Sequence, residues 1–176
     1  MSSLDIGCGY VKDYHVKKGD IGVDLKRGLC DVIASTYWLP FKNDYFEKVV
    51  MSHVLEHLTG CLEALKEVYR VLTDGGILQI EVPNPHNWGI FKDVLLKKRK
   101  FYKASKDHIY AFGENELCNL FTRMNFRLIS IKYVNSVWAE RKLKKSSWPK
   151  KAIYNLILSI FPPFRTAIEI ECRKNS

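Results

Sequence analysis

Two aspartates and two glycines near the start of the chain are the residues best suited to bind a ligand. Asp5, Gly7 and Gly9 lie at the end of one short apolar segment, and Asp24 ends a second. Glycines let the backbone approach a ligand closely, and an acid at the tip of the second strand of a β-α-β unit can hold the two hydroxyls of a ribose. The 19 positions between Asp5 and Asp24 are close to the roughly 20 expected of such a unit. The pattern predicts a site for a nucleoside-containing cofactor.

The residues after Gly9 narrow the choice of nucleoside. A dinucleotide site would have a third glycine that opens a helix toward a pyrophosphate, but the chain continues with Tyr10-Val11-Lys12-Asp13. The Gly-Lys-Ser/Thr sequence of a P-loop is also absent from the chain. An acid inside the glycine turn, Asp5, suits a cofactor with a cationic amino group better than one with phosphates.

Further landmarks follow in a fixed order along the chain. They are Leu39-Pro40-Phe41, the segments 46–58 and 67–76, Val82-Pro83-Asn84, and then His108, Phe112, Leu117 and Asn125-Phe126. With the glycine turn, this series resembles the class I S-adenosylmethionine-dependent methyltransferases, and within them the methyltransferase type 11 group. The resemblance covers about residues 3 to 131.

The resemblance implies S-adenosyl-L-methionine as the cofactor and a set of residues around it. They are Asp5, Gly7, Cys8, Gly9, Asp24, Ser35, Thr36, Ser52 and His53. Asp5 and the glycine turn would surround the methionine part, and Asp24 would bind the ribose. Ser35 stands where many family members carry an Asp beside the adenine. Cys8 is interpreted as a small side chain that fits a tight turn rather than as a nucleophile.

Two histidines are the candidates for acid–base chemistry. Methyl transfer from a sulfonium mainly requires that the reacting atoms be held in line and kept from water. A general base is needed only for some acceptors, and His57 or His108 could serve because imidazole titrates near neutral pH. Structural roles for both histidines stay open. No metal site is predicted, and the five cysteines lack metal-binding spacing.

Alternating strand and helix signals surround these residues. They predict an α/β, Rossmann-like fold, with a doubly wound, mostly parallel seven-stranded sheet, an antiparallel last strand and helices on both faces. The predicted strands are 3–6, 21–24, 31–34, 48–52, 77–82, 127–134 and 167–172. Helices are predicted at 61–72, ended by Asp74-Gly75-Gly76, and at 114–123.

The chain is interpreted as a single domain over residues 1–176, with two segments outside the repeating pattern. Residues 87–110 and 141–162 are expected to be lid or substrate-side elements. The second segment runs from a basic stretch into an apolar helix that begins near Pro149 and ends at Pro162. This helix is interpreted either as packed on the sheet or as an amphipathic element on a membrane surface.

Charge is distributed unevenly and bears on the partners. Residues 1–90 carry 9 Lys/Arg and 12 Asp/Glu, whereas residues 91–176 carry 19 and 7. The basic half favours a small-molecule or phosphate-bearing substrate, with peripheral membrane contact through 141–162 and nucleic acid as less favoured alternatives. A non-catalytic cofactor-binding module is a third possibility. Oligomeric state is not predicted. A cytoplasmic location is expected because neither a leader nor a spanning apolar run is evident.

Overall fold

The computed structural model describes residues 2–9, 19–26, 30–87, 91, 95–96 and 107–176. The strands are β1 Ser3–Ile6, β2 Ile21–Asp24, β3 Val32–Ile33, β4 Phe46–Ser52, β5 Leu72–Pro83, β6 Phe126–Val134 and β7 Ala167–Lys174. The helices within this part of the chain are α1 Cys61–Val71, α2 Glu114–Arg123, α3 Val137–Lys144 and α4 Trp148–Ile160, with 3₁₀ turns at Leu55–His57 and Pro162–Phe164.

The seven strands form one sheet in the order β3-β2-β1-β4-β5-β7-β6. Neighbouring strands from β3 to β5 are parallel, and β7 runs antiparallel to both β5 and β6. The strand order reverses between β1 and β4. The predicted Rossmann-like architecture is confirmed. Such a reversal opens a crevice at the carboxyl ends of the strands, where these folds bind ligands.

The core lies between the central strands and the amphipathic helices. In β4 the residues from Val49 to Ser52 are all buried, as expected of a central parallel strand covered on both faces. Helix α1 buries Ala64, Leu65, Val68 and Val71 at helical spacing. The site-bearing ends of β1 and β4 are thereby fixed side by side, with Ile6 opposite Met51.

Helix α1 also holds the connection between β3 and β4. Glu67 accepts hydrogen bonds from the Leu39 amide, at 2.9 Å, and from the Arg70 guanidinium, at 2.8 Å. Arg70 in turn donates to the carbonyls of Leu39 and Phe41. The Arg70 hydrogen bond lowers the pKa of Glu67, with burial opposing the shift. This clamp fixes the segment that leads from the predicted adenine side into β4.

The boundary between α1 and β5 differs from the sequence prediction. Asp74-Gly75-Gly76 was expected to end the helix, but α1 ends at Val71 and Leu72 is already extended, with φ −73° and ψ 137°. Leu72 pairs with Phe46 of β4. Sheet pairing therefore overrides the local turn signal, and the glycines lie inside the irregular start of β5, where Gly75 has φ 75°.

The predicted segment 87–110 falls mostly outside the described residues. Its last residues, from 107, lie against the 3₁₀ turn at Leu55–His57, since the amides of Ile109 and Tyr110 donate to the Glu56 carbonyl at 2.8 and 3.2 Å. Within this segment the described residues are 87, 91, 95–96 and 107–110.

The segment 141–162 contains α4, which begins with Pro149 in its first turn, as predicted. Asn84, just after β5, donates to the carbonyls of Pro163 and Arg165 at 2.6 and 2.7 Å. These bonds place the end of the segment at the carboxyl end of β5. Helix α3, which precedes α4, was not predicted. Among the described residues, none of the helices has the length and apolar character needed to cross a bilayer.

Candidate functional site

The glycine turn after β1 and the carboxylate that ends β2 meet at the carboxyl edge of the sheet. Gly7 and Gly9 have φ of 74° and 94°, a left-handed backbone that favours glycine. The Gly7 amide donates to the Val23 carbonyl at 2.8 Å, and the Gly9 amide donates to Asp24 Oδ2 at 3.2 Å. The structure therefore brings the glycine turn and Asp24 together, and their role in cofactor binding stays a prediction.

Asp5 and Cys8 are both buried beside this turn. Asp5 is 4% exposed and Cys8 is 1% exposed. Burial, with the nearby Asp5 charge, raises the pKa of the Cys8 thiol to about 12. Its sulfur packs against β2, because a Cβ built on Gly22 would lie 2.8 Å from it. Cys8 therefore fills space within the turn as a neutral thiol, and only its backbone remains for a ligand.

The predicted adenine side follows β3. Ser35 Oγ accepts the Tyr37 amide at 3.2 Å and so shapes the local turn. Thr36 is half-buried next to it. Tyr37 extends toward the start of α1, where its hydroxyl accepts the Gly60 amide at 3.2 Å. Ser35 and Thr36 lie near Asp24, since the Ala34 amide donates to the Asp24 carbonyl at 3.1 Å.

Two apolar side chains on this same side are exposed to solvent. Trp38 is 81% exposed and Leu25, directly after the ribose-binding candidate Asp24, is 70% exposed. On the adenine side the sequence analysis named Ser35 and Thr36 and missed Leu25. The signal was an apolar residue immediately after a strand-ending acid, where a solvated loop would ordinarily have a polar one.

The end of β4 carries a buried polar cluster. Ser52 Oγ donates to Glu81 Oε2 at 3.2 Å across the β4–β5 pair. His53 has Nδ1 at 3.3 Å from Glu56 Oε1 and Nε2 at 3.2 Å from Glu81 Oε1. Burial opposes protonation, but the hydrogen bonds that the His53 ring donates to Glu56 and Glu81 outweigh it and raise the pKa of His53 to about 9. At neutral pH His53 is therefore an imidazolium and not a general base.

His53 also adopts an uncommon backbone conformation. Its φ is 56°, and its amide donates to the Glu81 carbonyl at 2.8 Å. Left-handed conformations of residues other than glycine cost free energy and persist where surrounding contacts hold them. Here two carboxylates and the β5 carbonyl hold the residue, so the chain turns sharply into the segment 54–57.

His57 and His108 meet although they are 51 positions apart in sequence. Their rings pack edge to face with centroids 4.8 Å apart. His57 Nδ1 lies 2.8 Å from the Asp107 carbonyl oxygen, and its Nε2 lies 3.9 Å from Glu56 Oε1. Burial lowers the pKa of His108. The structure thus brings together the two predicted catalytic histidines, and their catalytic role remains a prediction.

The sequence reasoning missed the two acids of this region. Glu56 is 1% exposed and Glu81 is 8% exposed. Each acid interrupts an apolar stretch of the sequence: Glu56 follows Leu55, and Glu81 stands between Ile80 and Val82. A single acid in an otherwise buried segment is the signal that could have identified each of them. Both face His53, so the cluster is organised around that ring.

A separate cleft of about 690 Å³ opens between the start of α1 and α2. It is lined by residues of three segments: 59–63, Tyr110 and Phe112, and 116–124. None of the predicted cofactor-binding residues lines it. The cofactor assignment therefore rests on the glycine turn and Asp24, and not on this cleft.

Comparison with known proteins assigns the class. A family model described as a methyltransferase domain matches residues 16–131. The chain belongs to this family, the S-adenosylmethionine-dependent methyltransferases, as the resemblance indicated. A sequence relative, the uncharacterized protein MJ1252 of Methanocaldococcus jannaschii, is 32% identical over 118 residues, which are 55% of this chain and 47% of that protein. The chain thus spans less than half the length of that relative.

Solved structures share the fold. One is an S-adenosylmethionine-dependent methyltransferase of Thermotoga maritima described as a possible histamine N-methyltransferase, with a TM-score of 0.63 and 19% identity over 99% of this chain and 82% of that chain. Another is an S-adenosylmethionine-dependent methyltransferase of Archaeoglobus fulgidus, with a TM-score of 0.62 and 20% identity over 98% and 85% of the two chains. At this identity the likeness concerns the fold.

The residues present fit S-adenosylmethionine, which is the cofactor of this family. The left-handed glycines leave the turn backbone open to close approach, and Asp24 lies beside it with a carboxylate suited to a ribose diol. The buried Asp5 suits a cationic amino group, and exposed Leu25 offers an apolar surface for a base.

Proposed function

We propose that this enzyme transfers a methyl group to a small or carrier-linked metabolite. The observation that carries the proposal is the position of the His57–His108 pair, in the segment directly after β4, beside the edge that holds the glycine turn and Asp24. A Cβ on Gly7 would clash with Val54, so the cofactor turn and this segment are in contact. Bound S-adenosylmethionine supplies an electrophilic methyl group on a sulfonium.

The protein's part in the reaction is to bind, align and exclude water. Asp24 binds the ribose hydroxyls, and the backbone of the glycine turn approaches the methionine part beside Asp5. Ser35 and Thr36 bind the adenine edge with neutral hydrogen bonds. Ser52, buried at the end of β4, supports this edge of the sheet through its hydrogen bond to Glu81. These contacts hold the cofactor so that an acceptor atom can approach in line.

The histidine pair is the source of a general base where the acceptor needs one. His53 is held as an imidazolium between Glu56 and Glu81 and does not accept a proton at neutral pH. His108 is favoured in its neutral form because burial lowers its pKa. His57 is 39% exposed and adjoins it. Hydroxyl or acid acceptors would deliver their proton to this pair.

An acceptor carried at an anionic lipid surface fits the second half of the chain. Helix α4 exposes Ile153, Leu156 and Ile160 at 60%, 60% and 61%. Exposed Lys150 and Lys151 lie in the first turn of the same helix. Apolar residues flanked by lysines are typical of helices that rest on a membrane interface. This surface supports peripheral membrane contact and a lipid-linked carrier.

The test is a transfer assay with S-adenosylmethionine labelled in its methyl group. The enzyme is incubated with cell extract separated into water-soluble small molecules, organic-extractable lipids and nucleic acid, and label is counted in each. We expect label in the small-molecule or lipid fraction. Label that appears only in the nucleic-acid fraction and is lost on nuclease treatment would replace the proposal with the second candidate below.

The second candidate acceptor is RNA or DNA. It is favoured by the excess of 19 Lys/Arg over 7 Asp/Glu in residues 91–176. Binding carried by phosphate contacts weakens steeply as salt rises. Affinity for a random single-stranded oligonucleotide that falls by orders of magnitude between low and physiological salt, together with labelled RNA or DNA, would establish this candidate.

A further inference from the structure

Three side chains from two distant segments present donor atoms to one point beside the edge of the sheet. Glu56 and His57 come from the 3₁₀ turn after β4, and His108 comes from the segment before α2. One ligand atom from each lies within 4.8 Å of the other two. Contrary to the sequence expectation of no metal site, we propose that Glu56, His57 and His108 bind a divalent transition-metal cation.

The orientation of His57 is that of a metal ligand. A carbonyl oxygen only accepts hydrogen bonds, so His57 Nδ1, 2.8 Å from the Asp107 carbonyl, carries the ring proton as the donor. In the neutral ring this leaves the lone pair on Nε2, the nitrogen that faces Glu56 Oε1 at 3.9 Å. Metal-binding histidines almost always donate their second nitrogen to a carbonyl or carboxylate in this way.

One oxygen of the Glu56 carboxylate is available to bind a cation. The residue is 1% exposed, and its Oε1 is the oxygen that contacts the rings of His53 and His57. Its Oε2 is buried without a hydrogen-bond partner among the residues that the structure describes. A buried carboxylate oxygen without a partner is costly, and one imidazole, His53, already serves both Glu56 and Glu81. A cation bound here would neutralise the remaining carboxylate charge.

The backbone holds the third ligand in place. The amides of Ile109 and Tyr110, directly after His108, donate to the Glu56 carbonyl at 2.8 and 3.2 Å. The two ligand-bearing segments are therefore joined at the backbone, and the His108 ring packs on His57. A tetrahedral site with metal–nitrogen bonds of about 2.0–2.1 Å has ligand atoms roughly 3.3 Å apart. Side-chain rotation over about 1 to 2 Å closes the difference.

The ligand types identify the class of metal. Two imidazoles and one carboxylate are typical of zinc enzymes and of non-haem iron sites, whereas magnesium and calcium prefer oxygen ligands. Three protein ligands leave at least one position open for water or for an oxygen of a bound molecule. Cation binding can be measured without methyl transfer, but it occupies the lone pairs of His57 and His108, so these histidines act as a general base only in the metal-free protein. A further step, that the open coordination position holds the methyl acceptor, rests on the proposed function.

The test is titration of chelator-treated protein with Co²⁺, followed by visible absorption, and with Zn²⁺, followed by calorimetry. We expect one equivalent bound per chain, with the spectrum of nitrogen and oxygen ligands. His108→Gln should weaken binding by roughly 100-fold, since loss of a direct ligand costs at least as much as loss of a supporting contact. The matched control is His86→Gln, an exposed histidine outside the cluster, which should bind as the unmodified protein does.

Equal affinity in the two histidine variants would overturn the proposal, and so would a Co²⁺ spectrum with thiolate bands. If circular dichroism shows that His108→Gln is unfolded, Glu56→Gln provides the second test, and unchanged metal affinity in that variant would be equally decisive. S-adenosylmethionine binding is measured separately on the metal-free protein. Cofactor binding without metal binding would remove the metal site and leave the methyltransferase assignment intact.

Discussion

At the scale of single residues, Asp24 is the carboxylate on which we expect cofactor binding to depend most. It receives the Gly9 amide at 3.2 Å and faces the open glycine turn. Asp24→Ala removes hydrogen bonds to a charged acceptor, each contributing about 1.5–3 kcal/mol. We expect S-adenosylmethionine affinity to fall by roughly 10- to 100-fold in calorimetric titration.

The control for this variant is Asp20→Ala. Asp20 lies just before β2, at the opposite end of the strand, where it accepts hydrogen bonds from Ser3. Its removal should leave cofactor affinity unchanged. Normal affinity in the Asp24 variant would show that another residue binds the ribose.

Gly7 is a residue at which a single added methyl group should be disruptive. Its φ is 74°, and an added Cβ would clash with the Val54 side chain. Gly7→Ala places an alanine in a left-handed backbone conformation and adds the steric clash with Val54. We therefore expect the free energy of unfolding to fall by about 2–4 kcal/mol. Urea denaturation measures this loss. Gly75→Ala has φ 75° but open space around it, so it should cost clearly less, and equal losses would show that the Val54 contact is unimportant.

At the scale of elements, the strands were easier to predict from sequence than the segments between them. β1, β2 and α2 have the predicted bounds, because a glycine turn, a terminal acid and Gly113 mark their ends. The predicted start of β5 was wrong, because the strand begins where Leu72 pairs with Phe46, a long-range contact that no local sequence pattern indicates.

The same limit applies to the candidate site. The glycine turn and Asp24 could be predicted because their spacing reflects one β-α-β unit. His57 and His108 could be predicted only as two separate candidates. Their contact depends on the hydrogen bonds between the segment before α2 and the Glu56 carbonyl, which the sequence does not show. Glu81 reaches His53 only through the β4–β5 register.

The clamp between α1 and the β3–β4 connection predicts a pH-dependent stability. The pKa of Glu67 is lower in the folded protein than its ordinary value, because it accepts the Arg70 hydrogen bonds. The stabilisation is thus complete above the unfolded pKa and disappears as pH falls through the folded value. Glu67→Gln should lower the free energy of unfolding by about 1–3 kcal/mol at pH 7.

Urea denaturation at neutral and acid pH measures this difference. The gap between the protein and its Glu67→Gln variant should narrow as pH drops below about 4. Glu116→Gln, at an exposed position on α2, is the control and should change stability little. A gap that stays constant with pH would show that the carboxylate charge contributes nothing to the clamp.

At the scale of the whole molecule, the exposed apolar face of α4 predicts binding to anionic vesicles. Ile153, Leu156 and Ile160 share this face, and lysines at its start would meet lipid phosphates. We expect co-sedimentation with vesicles of phosphatidylcholine and phosphatidylglycerol, weaker at high salt. Leu156→Glu should reduce the bound fraction several-fold, because it places a charge within the buried surface.

Asn155→Glu provides the comparison, since Asn155 is exposed on the same helix but lies away from the apolar face. It should bind vesicles nearly as well as the unmodified protein. An equal loss of vesicle binding in both variants would show that the added negative charge, and not the apolar face, causes the loss. If no form of the protein binds vesicles, membrane contact is removed from the proposed function.

The position of β7 between β5 and β6 has a consequence for synthesis. β6 is an edge strand whose pairing partner in the sheet is β7, which follows it by more than thirty residues. On the ribosome, β6 emerges while its partner has not yet been translated, at a few to roughly twenty residues per second. The half of the sheet that carries the glycine turn and Asp24, β1 to β4, is complete much earlier. Nascent chains should therefore form the edge with the glycine turn and Asp24 before β6 is paired, and β6 should be accessible to chaperones until β7 emerges.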